Sequence, residues 1–421
     1  MSTEQSNRID VRTDNQRGST LDGRVSGTLA ASGIIISHTL QHLYGQGFYV
    51  ILPVIYTSLG LTPVAAGFIG TIRQVIGGVV STIGGFILDK FQHQRVLVLF
   101  ISLLLMGLGY LLIGLSPNYP LILLSIGIAG AASSIWHPAA LGLLSQRYPE
   151  RRGFMLALHR SSGNVGDVLG PLLVGASLLI LAWQKILFGA FPITVLMALL
   201  LLVSLRRAGD WQKLTDQTPT QRTLGEQFGV LKEVLKSREL ILLLLVSGIS
   251  GLGQGTLMLW LPLYLQETQG MGSLGIGMHL GLLSGVGIAS MPVIGILSDR
   301  FGRNRVIFIV LLAQTTIAVL MALARSGIIL TVLVGFMGAF LFALNPLVQA
   351  GALDVAEGKK LEGSMIGLLW GSNAAFNGIS PAIMGFLIAS LGYSILFWYI
   401  AVAKAVAGLF SISLILSTKR N

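Results

Sequence analysis

Apolar residues in this chain come in long blocks, not in the one-faced stripes of a water-soluble domain. The blocks run roughly over residues 29–57, 65–88, 96–115, 119–146, 153–181, 186–205, 239–265, 274–298, 306–324, 327–353, 363–390 and 393–417. Each is long enough to cross a hydrocarbon core about 30 Å thick. A segment in lipid must satisfy its own backbone, so each block predicts a helix. Blocks longer than about 20 residues allow tilt or extension past the bilayer face. The pattern predicts an all-α membrane protein with twelve transmembrane helices.

One long polar interruption, residues 206–238, divides the blocks six and six. Within it Leu224, Phe228, Leu231 and Leu235 recur at helical spacing, with Lys232, Glu233 and Lys236 between them. This reads either as an amphipathic helix lying on the membrane face or as a plain connector. Residues 1–28 are polar and lack the short apolar core of a signal peptide, so a disordered tail is expected there. Residues 418–421 form a second short tail. The domains expected are therefore bundles at 29–205 and 239–417, joined by 206–238.

Charge orients the whole. Twenty-three of the 28 Lys and Arg residues fall in one alternate set of loops and in both tails. That asymmetry places these loops and both termini in the cytoplasm, in a bacterial-type inner membrane. It also explains the net charge of +11, which in a soluble protein would point to nucleic acid. Only 11% of residues are charged and none is Cys, so thiolate metal sites and cysteine nucleophiles are excluded. No Gly-Lys-Ser/Thr phosphate loop exists, which argues against direct ATP drive. No Ser-His-Asp or His-Glu-x-x-His arrangement marks an enzyme.

The halves repeat each other. Gly85, Asp89, Lys90, Phe91 and Arg95 align with Gly295, Asp299, Arg300, Phe301 and Arg305 at a shift of 210. The same shift carries Gly153 onto Gly363, Ser162 onto Ser372 and Pro171 onto Pro381. Leu52 and Pro53 match Leu261 and Pro262 at 209, and His137 and Pro138 match Asn345 and Pro346 at 208. An ordered series of matches indicates a duplicated six-helix unit. Two parallel halves related by an axis along the membrane normal enclose a cavity near the midplane, and rocking them opens it to each side in turn.

The repeated segment resembles the signature of the major facilitator superfamily. The second copy, Gly295 to Arg305 with Gly302 and Arg303, fits well. In the first, Gln92, His93 and Gln94 replace the glycine and basic positions. A narrower likeness is to the fosmidomycin-resistance branch of efflux proteins. It rests on Ser133 to Pro138 with His137; on Glu150 to Gly153 followed by Ser161, Ser162, Gly163 and Asn164; and on Ser37, His38, Tyr44, Gln46, Gly47 and Pro53. That branch often has an acid four residues after the first His, where this chain has His42. Gly166, Gly170, Pro171 and Gly175 also resemble the fifth-helix motif of drug antiporters. The resemblance implies a two-bundle fold, alternating access and proton-coupled efflux.

Candidate chemistry lies inside the spans. Asp89 and Asp299, each followed by a base at a helix end, read as gating locks or as solvated loop charges. Asp167 is a carboxylate deep in the fifth span and could carry a coupling proton. Arg160, seven residues earlier on the same face, could instead hold it in a static pair. Arg73 lies midway along the second span. His38, His42 and Gln46 share one face of the first, near Tyr49, and His137 and His159 add two imidazoles. These read as a proton-sensitive substrate site, a transition-metal site or inert lining. Asn345, Trp370, Asn373 and Asn377 suggest neutral contacts from the second half, or helix glue.

The combined expectation is a monomeric proton-coupled exporter of a small organic molecule. It needs no cofactor, resident metal or nucleic acid; its partners are substrate, protons and lipid. Metabolite uptake, transition-metal export and a non-transporting sensor are the alternatives.

Overall fold

The computed structural model describes residues 3–90, 92–116, 118–207, 229, 232, 236–324, 327–356 and 362–418. The first half holds α1 (Thr3–Ser58), α2 (Pro63–Lys90), α3 (Arg95–Leu115), α4 (Tyr119–Arg147), α5 (Arg152–Ser177) and α6 (Trp183–Arg207). The second holds α7 (Arg238–Glu267), α8 (Ser273–Phe301), α9 (Arg303–Ala324), α10 (Gly327–Leu341), α11 (Leu344–Ala356), α12 (Glu362–Leu391) and α13 (Ile395–Thr418). No strand occurs among the described residues.

All twelve predicted spans are helical, with two differences. The tenth is broken, with α10 and α11 flanking a turn at Phe342 and Ala343. Pro346 has no N–H to bond the carbonyl four residues back, which opens the helix there. Side chains take up nearby carbonyls: Gln314 Nε2 donates to Phe340 O at 2.8 Å, and Ser290 Oγ donates to Ala339 O at 2.5 Å. The second difference is that helix runs back to Thr3 across the expected tail. The amphipathic segment expected in the linker lies largely outside the described residues.

The duplication is visible in the packing. In the first half α1 packs on α5 and α6, α3 on α4 and α6, and α2 on α4. In the second, α7 packs on α12 and α13, α9 on α10 and α13, and α8 on α10. Across the halves α2 meets α12 and α5 meets α8, which exchange under the same equivalence. The fold is therefore two pseudo-symmetric six-helix bundles.

The halves touch at one end. Gln266 Nε2 donates to Thr57 Oγ1 at 2.6 Å and to Pro53 O at 3.2 Å, and Ala382 N donates to Thr71 Oγ1 at 3.1 Å. Glycines permit this approach: a Cβ on Gly175 would lie 2.7 Å from Ser273 O, and one on Gly385 would lie 2.7 Å from Pro63 O. The halves thus meet directly on the face away from the basic loops.

Ten of the spans are long and apolar enough to cross a membrane by hydropathy alone. The first and fifth fall outside that set because their apolar runs are interrupted by His38, Gln41, His42, Gln46, His159, Arg160 and Asp167. These two helices pack on each other, so their polar faces meet inside the protein instead of lipid.

Candidate functional site

Between the halves lies a cavity of about 740 Å³, within the range of about 300–1,000 Å³ usual for small-molecule sites. His38, His42 and Gln46 line it from α1, His137 from α4, and His159, Arg160 and Asp167 from α5. Asn345 lines it from α11, and Trp370, Asn373 and Asn377 from α12. The histidine face of α1 thus turns to the cavity, and the two halves supply opposite walls.

The wall of the first half is a linked set of imidazoles and one carboxylate. His42 Nδ1–H donates to Asp167 Oδ1 at 2.7 Å. A carboxylate and a backbone carbonyl accept only, so the partner fixes each ring's tautomer. His38 Nδ1–H donates to His159 O at 2.7 Å, and His137 Nδ1–H donates to Ser133 O at 2.8 Å. The His137 bond goes to the carbonyl beside the one that Pro138 frees, Ser134 O, so it serves the bent helix only in part. The His38 and His159 rings stack at 3.7 Å, and Trp136 lies beside the pair, parallel to them, at 5.6 and 5.7 Å. Neither ring nitrogen of His159 has a hydrogen-bond partner.

Close packing of α1 on α5 makes this possible. A Cβ on Gly166 would lie 2.7 Å from His42 Cβ, and one on Gly170 would lie 2.9 Å from Leu43 Cα. Gly163 opens the space that the rings of His38 and His42 fill. The antiporter-like glycines are thus packing positions: Gly166 and Gly170 admit α1, and Gly175 with Pro171 O admits α8.

The opposite wall is neutral. Asn373 Nδ2 donates to Ser247 O at 3.0 Å and Asn345 Nδ2 to Gln254 Oε1 at 3.4 Å. Gln74 Nε2 donates to Asn377 Oδ1 at 3.4 Å across the halves, and both side chains line the cavity. The repeat relates the walls residue by residue. Asp167 corresponds to Asn377 at the shift of 210, and His38 to Ser247 at 209. Ser247 Oγ bonds Leu369 O, the counterpart of His159 O.

Three expectations change. Asp167 pairs with His42, not with Arg160, because α1 brings the imidazole closer than the next turns of α5 bring the guanidinium. Arg73 and Tyr49 do not line the cavity: Arg73 Nη1 donates to Gly45 O at 3.1 Å and lies 5.1 Å over the Tyr49 ring, clamping α2 to α1. Among the described residues Asp299 pairs within its own half. Its partner is Arg303 at 3.6 Å, and Arg303 also binds Asp354 on α11. Gly302 ends α8 at φ 93°, a conformation L side chains rarely adopt. The first copy, with Gln92 there, makes a 3₁₀ turn over Gln92–Gln94. Arg95, Arg300 and Arg305 lie on this basic face away from the cavity, and the side chains of Asp89 and Lys90 lie outside the described residues, as does any contact of Gly85. Gln74, Trp136 and Ser247 were missed in the sequence. The repeat offset marks Ser247; nothing in the sequence pattern marks the other two.

The chain matches the family described as Major Facilitator Superfamily over residues 34–370 and 291–421. It is 25% identical to the fosmidomycin resistance protein of Escherichia coli (strain K12) over 373 residues, 88% of each chain. It is 23% identical to an uncharacterized MFS-type transporter, YfnC, of Bacillus subtilis (strain 168), over 85% of this chain and 86% of that one. Among solved structures, the nucleoside transporter NupG superposes with a TM-score of 0.79 at 12% identity, covering 92% of this chain and 99% of that one. An inward-facing bacterial homolog of the human lysosomal transporter Spinster superposes at 0.70 and 14% identity, over 93% and 95%.

Proposed function

The chain belongs to the Major Facilitator Superfamily, and from that premise we propose that it is a proton-coupled exporter of a small organic molecule. It sits in a bacterial-type inner membrane as a monomer with both termini cytoplasmic. The observation that carries the reading is the unlike pair of walls: one bears a carboxylate hydrogen-bonded to an imidazole, the other only amides and hydroxyls. Solute enters from the basic, cytoplasmic face and rests between them. After the halves rock, a proton from outside reaches Asp167, breaks its bond to His42 and releases the solute outward. A charge-assisted hydrogen bond of this kind contributes about 1.5–3 kcal/mol, enough to bias two conformations tenfold or more. Support for export comes from the relative named for fosmidomycin resistance, since expelling a drug confers resistance to it.

The test uses proteoliposomes and a labelled solute found by thermal-shift screening, starting with fosmidomycin. Asp167→Asn should abolish transport driven by a pH gradient while keeping counterflow, which needs no proton. Gradient-driven transport at the unmodified rate would remove Asp167 from the mechanism. Uptake is the second reading, and the fold shared with a nucleoside transporter keeps it in view. Everted vesicles that fail to accumulate the solute on acidification, while intact vesicles do, would favour it.

A further inference from the structure

We propose that His38, His42 and His137 form a binding site for one divalent transition-metal ion of the zinc class, reached from the cavity. The spacing of these histidines leaves a transition-metal site as one of three readings, with no resident metal expected, and the way the rings are held singles it out. One ring nitrogen from each of these three residues lies within 4.8 Å of the others. Each Nδ1–H is given to an oxygen: His159 O, Asp167 Oδ1 and Ser133 O. That leaves three Nε2 atoms, each carrying a lone pair and no proton. With the three rings this close, their lone pairs repel an anion, which needs donors, and suit a cation.

The outer contacts match what metal-binding imidazoles need. A ligating His almost always gives its second N–H to a carboxylate or a backbone carbonyl, which fixes the ring and raises its basicity. All three rings do so here. Tetrahedral ligands about 2.0–2.1 Å from zinc stand about 3.4 Å apart. Each ring therefore needs to move inward by less than about 1 Å, which side-chain rotation covers. Three imidazoles with a fourth position open to the cavity form the donor set of an exchangeable site, in contrast to a closed structural one. Asp167 is the one carboxylate in the cavity lining and offsets part of the ion's charge, while Arg160 on the same wall opposes it.

The buried ring of His159, stacked on His38, has both nitrogens without hydrogen-bond partners among the described residues, as do Trp136 Nε1 and Gln41 Nε2. The indole and amide groups are donors, so they call for an acceptor such as a water on the ion and do not themselves select a cation.

The inference rests on the cavity but not on direction or proton coupling. The test is calorimetric titration of purified, tag-free full-length protein with ZnCl2, and X-ray absorption at the zinc edge. One ion per chain is expected, with three imidazole nitrogens at about 2.0–2.1 Å. His42→Ala and His137→Ala should each weaken binding at least tenfold. Asp167→Asn should weaken it about 10–100-fold, the range for losing an outer contact. Size-exclusion profiles report whether each variant is folded, and His93→Gln, in the exposed turn before α3, should bind as the unaltered protein does. No heat of binding with unaltered protein, an oxygen-only zinc shell, or full affinity in a folded His42→Ala/His137→Ala double variant would overturn the site. Transport measured in chelator-treated buffer separates the outcomes: zinc binding without gradient-driven transport overturns the exporter reading alone, and the converse overturns the metal site alone.

Discussion

Two cations within the spans, half-buried Arg73 and buried Lys404, have no carboxylate beside them among the described residues, and residue-scale chemistry explains both. Arg73 bonds Gly45 O and lies over the rings of Tyr49 and Phe48. Lys404 on α13, fully buried, donates to Ser250 O at 2.9 Å and Ser250 Oγ at 3.1 Å on α7. Each cation spends its donors on backbone oxygens of a neighbouring helix and so fastens one helix to another. For Arg73 the expectation from sequence, a cavity residue, fails because a carbonyl and two ring faces of α1 hold the guanidinium in place of a carboxylate. Replacing it by Met keeps most of the volume and loses the bond and the cation–π contact. Arg73→Met should lower the thermal midpoint, corresponding to about 2–3 kcal/mol, and leave the affinity for a transported solute unchanged. A tenfold loss of affinity at unchanged stability would return Arg73 to the binding site.

At the scale of elements, α5 does three jobs on three faces. Gly166 and Gly170 receive α1, His159, Arg160 and Asp167 face the cavity, and Gly175 receives α8 of the other half. The sequence announced these glycines, and their meaning was legible as close approach. Their partners were not: nothing in helical periodicity says which neighbour fills a small residue's space. The break between α10 and α11 was equally hidden, since Pro346 resembles the tolerated Pro138, Pro171 and Pro381, which stay inside continuous helices. A side chain on Gly175 must push α8 away, because Ser273 O and Gly277 Cα leave no room. Gly175→Val should therefore destabilise the conformer closed on the face away from the basic loops. Distances between spin labels on Thr57 and Gln266 positions should broaden toward longer values, and transport should fall. An unaltered distance distribution would mean that α5 and α8 yield without separating the halves.

For the whole molecule, the number of spans, the six-and-six division and the repeat could all be read from residues such as Gly85 with Gly295 and Pro171 with Pro381, because duplication leaves a fixed offset in the chain. The polar face of the cavity was legible too, since His38, His42 and Asp167 interrupt apolar runs that lipid would not tolerate. The conformational state was not, because both states use the same helices and differ only in which ends meet. The chain contains no Cys, so a pair introduced at positions 57 and 266, where Thr57 and Gln266 are hydrogen-bonded at 2.6 Å, would be its only thiols. Thr57→Cys with Gln266→Cys, joined by a short bifunctional reagent, should hold this face shut. Transport should stop and recover on cleavage of the cross-link, while solute binding from the basic face persists. A pair at Gly153 and Gly367, near the basic end, should cross-link slowly in the same preparation, and faster once the halves rock. Alternating access requires this opposition; equal reactivity of both pairs in one state, or transport through a quantitatively cross-linked closed end, is incompatible with it.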